Sequence, residues 1–451
     1  MPSADPRRPA APLTWLAWLI DTDWPVLAAI FLVYTQFPER LRIVDADPLL
    51  GVVVAALAIR AVVWHHRFGD MRPAAFLVAV YLVVAATSVS WAADLDLARV
   101  ALQRLAKDLL LFLIVAAAIH DGRTARRAAW TLVVSGVVMT AGPVFQRVTG
   151  NYGNDLWGFS QVQVSHLWGN IEGYRVTGSV SDPNYFAQSL LPVIAVGFAL
   201  LWTARKPISI ACCAWSVVAA LGCIVLTYSR GAVVGLAVVI PLLVFAFRPW
   251  RRSAALVAVL VALALPFVDQ IYINRVMTFA KAAPGRQAEF VAEPGFKGRA
   301  SEILAGLQMF RDRPLSGVGL GNYELYYQGY AREIGIDPRN EERQAHSLPI
   351  EVAAETGIFG LIAWGLLLSA VILRVHAARS RIQGDPEQLP LVTGIAIALV
   401  GYLTTSLFLH DAYQRQLWIV AALAYASTRI APGGEPPRDA GQAHAAGVPP
   451  L

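Results

Sequence analysis

The stretch PVIAVGFALLWTARKPISIACCAWSVVAALGCIVLTYSRGAVVGLAVVIPLLVFAF, residues 192–247, decides the fold. Three apolar runs are interrupted only by Arg205 with Lys206 and by Ser229 with Arg230, and no acidic residue occurs among them. Apolar side chains fill whole turns instead of alternating with polar ones, so each run presents hydrocarbon on every side and calls for lipid as its solvent. The texture persists along the chain: of 451 residues, 56% are hydrophobic and 15% charged, where a soluble domain carries roughly 25% charged residues. The mean hydropathy is +0.52. A soluble globule, a disordered chain, a nucleic-acid binder and a disulfide scaffold are all excluded. Cys212, Cys213 and Cys223 share one apolar run and read as small hydrophobes.

Working outward, runs of about 20 residues that could cross a ~30 Å hydrocarbon core are centred near Ile30, Ala56, Tyr81, Ile114, Gly136, Ile194, Val218, Val239, Leu260, Leu361, Ala396 and Val420. The expectation is an all-α polytopic membrane protein with about twelve transmembrane helices. Connections beginning at His65, His120, Thr203, Arg248 and Arg374, and both tails, hold 16 of the 33 arginines and Lys206. The positive-inside rule puts them in the cytoplasm, which also accounts for much of the net charge of +6. The predicted organisation is 1–270, nine membrane helices with a short periplasmic loop at 146–182; 271–345, a large helical periplasmic loop; 346–430, helices ten to twelve; and 431–451, a disordered cytoplasmic tail. No removable signal peptide is read at the N-terminus, where Leu13 to Ile20 fits either an interfacial helix or the front of the first span. In the large loop Ile303, Leu304, Leu307 and Phe310 mark one apolar face, and Gly317, Gly319 and Gly321 read as turn punctuation.

Polar groups gather at three external points, where a membrane enzyme can keep charge out of hydrocarbon. YRVTG (174–178) precedes SDPN (181–184), in which Asp182 suits an N-cap and Pro183 a first helical residue. TYSRG (227–231) is a tight turn with Ser229 as a cap. QAHSLPIEVAAETG (344–357) sets His346 one residue before the predicted cap Ser347, with Glu351 and Glu355 spaced i, i+4 behind it. All three would open helices running inward, so three positive helix ends face outside and favour phosphate. Arg175 and Arg230 lie beside two of them, and Arg299 is expected at the head of the helix in the large loop. Interfacial anchoring accounts for any one of these arginines, and their joint placement suggests an anion site with Asp182, Asn184 and Ser229 in support. A positive helix end favours the neutral imidazole that a general base requires, although a histidine there can also be structural. His410 and Asp411 are weaker candidates. Asp45 with Asp47, and Asp94 with Asp96, could bridge a divalent cation to diphosphate, but helix capping at Asp47 and an interfacial segment with Arg99 and Arg104 explain them better. No metal and no cofactor is assigned.

The series Arg175 with Gly178, DPN (182–184), SRG (229–231), GR (298–299), PLSGVGLGNY (314–323), HS (346–347) and ETGIFG (355–360) resembles the O-antigen ligase and polymerase superfamily of bacterial envelopes. The resemblance spans roughly residues 174–361. It implies a GT-C-like architecture in the inner membrane and transfer of a glycan from undecaprenyl diphosphate to an acceptor on the periplasmic side. In the ligase branch of lipopolysaccharide biosynthesis that acceptor is lipid A core. The family's functional arginines fall on Arg230 and Arg299 and its essential histidine on His346. Arginines suit the negative charge that develops on a leaving diphosphate. An unactivated hydroxyl needs a base, and one histidine without a second nucleophile points to single displacement with inversion. A polymerase or a protein O-oligosaccharyltransferase would use the same donor. A transporter of the same lipid would place ionisable residues at mid-membrane, but most spans lack any apart from Arg60, which lies near the cytoplasmic end.

Overall fold

The computed structural model describes residues 23–36, 70–168, 171–277, 294–336, 343–409 and 414–430. The predicted span near Ala56, the segment Leu13 to Ile20, Asp45, Asp47, His410, Asp411 and the tail 431–451 lie outside them. Each of the other eleven predicted centres falls within a helix: α1 Trp24–Thr35, α2 Arg72–Ser88, α3 Leu95–Ala118, α4 Gly122–Thr149, α5 Pro183–Thr203, α6 Pro207–Leu226, α7 Arg230–Ala246, α8 Trp250–Ala264, α12 Leu348–Arg381, α13 Gln388–Ser406 and α14 Arg415–Ala426. Between α8 and α12 come three helices of the large loop, α9 Gln270–Met277, α10 Pro294–Asp312 and α11 Tyr323–Ile334. Seven of the described helices are long and apolar enough to cross a membrane, fewer than the twelve predicted. α3 is not one of them, because Asp96, Arg99, Arg104, Lys107 and Asp108 crowd its first half. The chain is a multi-pass membrane protein.

One antiparallel hairpin, β1 Gln161–Trp168 with β2 Ile171–Gly178, adds to the helical fold. It occupies the loop predicted at 146–182, and the alternation in QVQV (161–164) is its signature. Tyr174 on β2 stacks on Tyr152 at 5.0 Å.

α5 runs through the middle of the bundle, buried over most of its length, and packs on α13, α6, α4 and α7. Small residues let these helices close up: a Cβ on Gly394 of α13 would lie 2.4 Å from the Ala199 Cβ. Buried Gln188 donates to the Ser406 hydroxyl at 3.0 Å, a polar tie of the kind that replaces hydrophobic drive between helices in lipid.

The connections sort to two ends. At one, Arg127 meets Asp23 at 2.7 Å, Arg126 donates to Thr203 and Arg379 to Thr393. At the other lie the β-hairpin, the 227–229 turn and helices α9 to α11. The grouping is the one that alternating spans demand.

Helix α12 is broken. Gly357, at φ 67° and ψ −165°, occupies a region open essentially to glycine alone, which separates a short segment ending at Thr356 from the span that follows. The break strands backbone groups, and the 314–319 loop takes them up. Val318 and Gly319 N–H donate to the Ala354 and Glu355 carbonyls at 2.8 and 3.0 Å, and Ile358 N–H donates to the Pro314 carbonyl at 2.8 Å. A Cβ on Gly317 would fall 2.4 Å from the Glu355 carbonyl. All three glycines predicted as punctuation have a positive φ; Gly317 lines the backbone clasp, while Gly319 and Gly321 lie against Ala92 and Ala101. Asn322 extends it, accepting from Asp94 N–H at 2.8 Å.

Candidate functional site

The first component is a group of arginines. Asp182 caps α5 as predicted, accepting from Asn184 and Tyr185 N–H at 2.7 and 3.0 Å. This fixes the Asn184 side chain, whose Oδ1 accepts from Arg175 Nη2 at 3.0 Å, while Arg175 Nε donates to the Thr227 carbonyl at 2.7 Å. Thr227 closes the C-terminus of α6, so an orphan helix carbonyl holds the guanidinium in place. Burial, then the positive charges of Arg275, Arg299 and Arg230, set the Arg175 guanidinium well below its ordinary range, with Asp182 opposing. It remains protonated at neutral pH. Three like charges acting on Arg175 are costly, and an anion beside it would relieve the cost.

Arg230 is buried at the first position of α7. The structure corrects the two serine caps beside these residues. Neither Ser229 nor Ser347 makes a side-chain capping bond. In the first turn Thr227 Oγ1 accepts from Ser229 N–H at 3.2 Å, a bond within the turn that leaves α7 without a side-chain cap. At the second, Pro349 removes an N–H that a cap would bind. Arg299 stands in the second turn of α10 and not at its head, because the helix begins at Pro294.

The second component centres on His346. Its backbone lies at φ 45°, the left-handed region that a side-chain-bearing residue rarely enters. Nδ1 is 3.2 Å from the Gln344 carbonyl and 3.0 Å from Glu302 Oε2. Glu302 is buried, with its other oxygen accepting from Arg343 Nη1 at 3.0 Å and its carbonyl from the Tyr323 hydroxyl. Glu302 and Arg299 are three residues apart on α10, hence on one face, and this face carries the histidine component toward the arginines.

Glu351 and Glu355 are both buried on the short segment before the break. Glu355 Oε1 accepts from Tyr323 N–H at 3.3 Å. Burial first, then Glu302, Tyr327, Glu351 and Glu355, push the Tyr323 hydroxyl above its usual value, so three carboxylates surround it.

The apolar face predicted on α10 is corrected. Leu304 and Leu307 are exposed, while Ser301, Glu302, Ala305 and Met309 are buried against Tyr323 and Tyr327 of α11. The Glu302 carboxylate turns inward because Arg343 and His346 receive it there. Asp94 caps α3, accepting from Asp96 and Leu97 N–H, and Asp96 pairs with Arg99 at the surface. Both are therefore engaged in helix structure. Glu302, Arg275 and Arg343 were not singled out from the sequence. The i, i+3 step from Arg299 pointed to Glu302; for Arg275, which donates to the Leu167 carbonyl at 2.6 Å, no local signal existed. A cavity of about 330 Å³ lined by Trp202, Phe247, Arg248, Asp385 and Thr393 lies at the opposite end, apart from these groups.

Residues 215–365 match the family model described as O-antigen ligase. The stretch contains Arg230, Arg275, Arg299, Glu302, Arg343 and His346, with Arg175 upstream of it. The match supports O-antigen ligase or polymerase-type activity in general. No curated protein matches the chain, and it is the match over 215–365 that supports placing it in the O-antigen ligase superfamily.

Proposed function

We propose that the protein is an inverting, metal-independent glycosyltransferase of the bacterial inner membrane. It moves an O-antigen glycan from undecaprenyl diphosphate to lipid A core at the periplasmic face. The observation that carries this reading is that Arg275, Arg299 and Arg230 add positive charge at Arg175, which Asn184 and Thr227 lock in place. Guanidiniums bind phosphate oxygens in bidentate fashion, and fixed positive charge stabilises the diphosphate as the glycosyl bond breaks. Such charge does the work a bridging cation would otherwise do.

His346 is the base. The acceptor hydroxyl gives its proton to the imidazole as its oxygen bonds to the anomeric carbon; the bond from that carbon to the phosphate oxygen breaks, and its electron pair leaves on the diphosphate. One displacement inverts the anomeric centre. The polyprenyl tail lies among the apolar helices, in contact with membrane lipid.

The test is reconstitution of the purified protein in vesicles with undecaprenyl-diphosphate-linked O-antigen and, in separate reactions, lipid A core, growing glycan or acceptor protein. Transfer to lipid A core that survives chelation is expected. Transfer only to growing glycan or only to protein would reassign it as a polymerase or a protein O-oligosaccharyltransferase. Lipid translocation without transfer would overturn the enzyme reading, and loss on chelation restored by magnesium would overturn metal independence.

A further inference from the structure

We propose, resting on the assignment of His346 as base, that Glu302 is the positioning residue that fixes which nitrogen of His346 accepts the proton. Both neighbours of Nδ1, Glu302 Oε2 at 3.0 Å and the Gln344 carbonyl at 3.2 Å, are oxygen acceptors. The hydrogen of the neutral ring therefore sits on Nδ1, and Nε2 carries the lone pair.

Two features separate this arrangement from a buried ion pair that merely holds α10. A carboxylate only 1% exposed calls for partners at both oxygens; Arg343 occupies one, and the other makes no hydrogen bond but lies 3.0 Å from the ring nitrogen as an ion-pair contact. The ring itself is about one-quarter exposed, on a backbone held at φ 45°. Non-glycine residues persist there only when the surroundings over-determine them, and such positions cluster at functional sites. Glu302, Arg343 and Gln344 supply that surrounding, and Tyr323 pins the Glu302 main chain.

In the reaction Nε2 takes the hydroxyl proton and the ring becomes an imidazolium. Glu302, 3.0 Å from Nδ1, stabilises that charge without taking the proton, as the carboxylate of a catalytic triad does. The proton then leaves Nε2 for solvent or for the released diphosphate, which restores the neutral ring.

The experiment is a double-mutant cycle on the full-length protein in detergent, using undecaprenyl-diphosphate-linked O-antigen and lipid A core. Glu302→Gln is expected to lower kcat about 10–100-fold, the usual worth of a partner that orients a functional imidazole, with KM for the donor unchanged. In a His346→Ala background the same substitution should cost nothing more, because its effect runs through the imidazole. Glu302→Asp, which keeps the charge, should recover part of the loss. Wild-type kcat in Glu302→Gln overturns the inference, and so does an equal loss in both backgrounds. If Glu302→Gln does not accumulate as folded protein, Glu302→Asp runs the same cycle with the same two readings. His346→Ala alone, expected to lose on the order of 10²–10⁴ in turnover, is measured first. Full turnover there would remove the base assignment itself, whereas an inactive His346→Ala beside an unaffected Glu302→Gln would remove only Glu302.

Discussion

At the end of the bundle that carries Arg126, Arg127, Arg379 and Arg429, each guanidinium has its own fixed partner. Arg127 meets Asp23 at 2.7 Å, Arg126 and Arg379 donate to threonine hydroxyls at 3.3 and 3.2 Å, and Arg429 donates to the Ile119 carbonyl at 2.9 Å. At the hairpin end Arg175 and Arg275 also have fixed carbonyl acceptors, but there Arg275, Arg299 and Arg230 add their positive charge at Arg175. Dispersed charge tied to local acceptors anchors helix ends. Converging charge destabilises the empty site and becomes favourable when an anion arrives. The two ends hold the same residue type in comparable numbers, so arginine content does not distinguish anchoring from binding; spacing in three dimensions does.

The largest effect that would break this comparison is on turnover. Arg230→Lys and Arg299→Lys keep the charge but lose the planar fork. Each is expected to lower transfer on the order of 10²-fold, the scale of removing one donor that stabilises a developing anion. Arg126→Lys and Arg379→Lys at the other end should leave transfer near wild type. Initial rates normalised to folded protein decide it. Equal effects at both ends would reduce all of these arginines to anchors.

Why the chain alone revealed one half of this contrast and not the other is a matter of which forces are local. Span positions follow from hydrocarbon thickness and run length, and eleven centres fall in helices. The Asp182 cap was legible because it is settled within four residues. Arg175, Arg230 and His346 stood out as helix-end polar residues and, with Arg299, as matches to family motifs. Glu302 was not, because periodicity on α10 favours the Leu304 side as the buried face, and only Arg343 and His346, some forty residues on, make it favourable to bury a carboxylate. The failed cap at Ser347 also depends on a neighbour, because Pro349 lacks the N–H its hydroxyl would bind. The break at Gly357 needed the 314–319 loop to receive its freed backbone groups.

That clasp provides the next effect, on stability at the hairpin end. Gly357→Ala would force an L residue to φ 67°, ψ −165°, and set its Cβ 2.4 Å from the Leu315 carbonyl. The backbone alone should cost about 1–3 kcal/mol, with the clash added. Gly335→Ala is the control: it shares a positive φ of 70° but has open space around it, so only the backbone cost applies, on the order of 1 kcal/mol. Unfolding midpoints in detergent should therefore fall further for Gly357→Ala than for Gly335→Ala. Equal shifts would mean that the clasp contributes nothing beyond a turn.

The smallest expected effect lies at the opposite end, where charge serves only structure. Asp121 caps α4, accepting from Thr124 N–H at 2.7 Å. Burial raises its carboxyl, but the bonds from Thr124 and the charges of His120 and Arg123 outweigh it and hold the group below its usual value. A carboxylate whose folded value is depressed contributes stability above the unfolded value of about 3.9, and that contribution is lost as pH falls through the folded value. Asp121→Ala should therefore cost about 1 kcal/mol at neutral pH, the typical worth of a cap, and progressively less as the medium is acidified below pH ~4. Its transfer rate per folded molecule should equal wild type, because nothing at that end touches donor or acceptor. Thermal unfolding across the acid range, measured beside transfer at neutral pH, separates the two. A variant that keeps its stability but loses turnover would mean that the Asp121 end takes part in the chemistry, and the contrast between anchoring and binding arginines would fail.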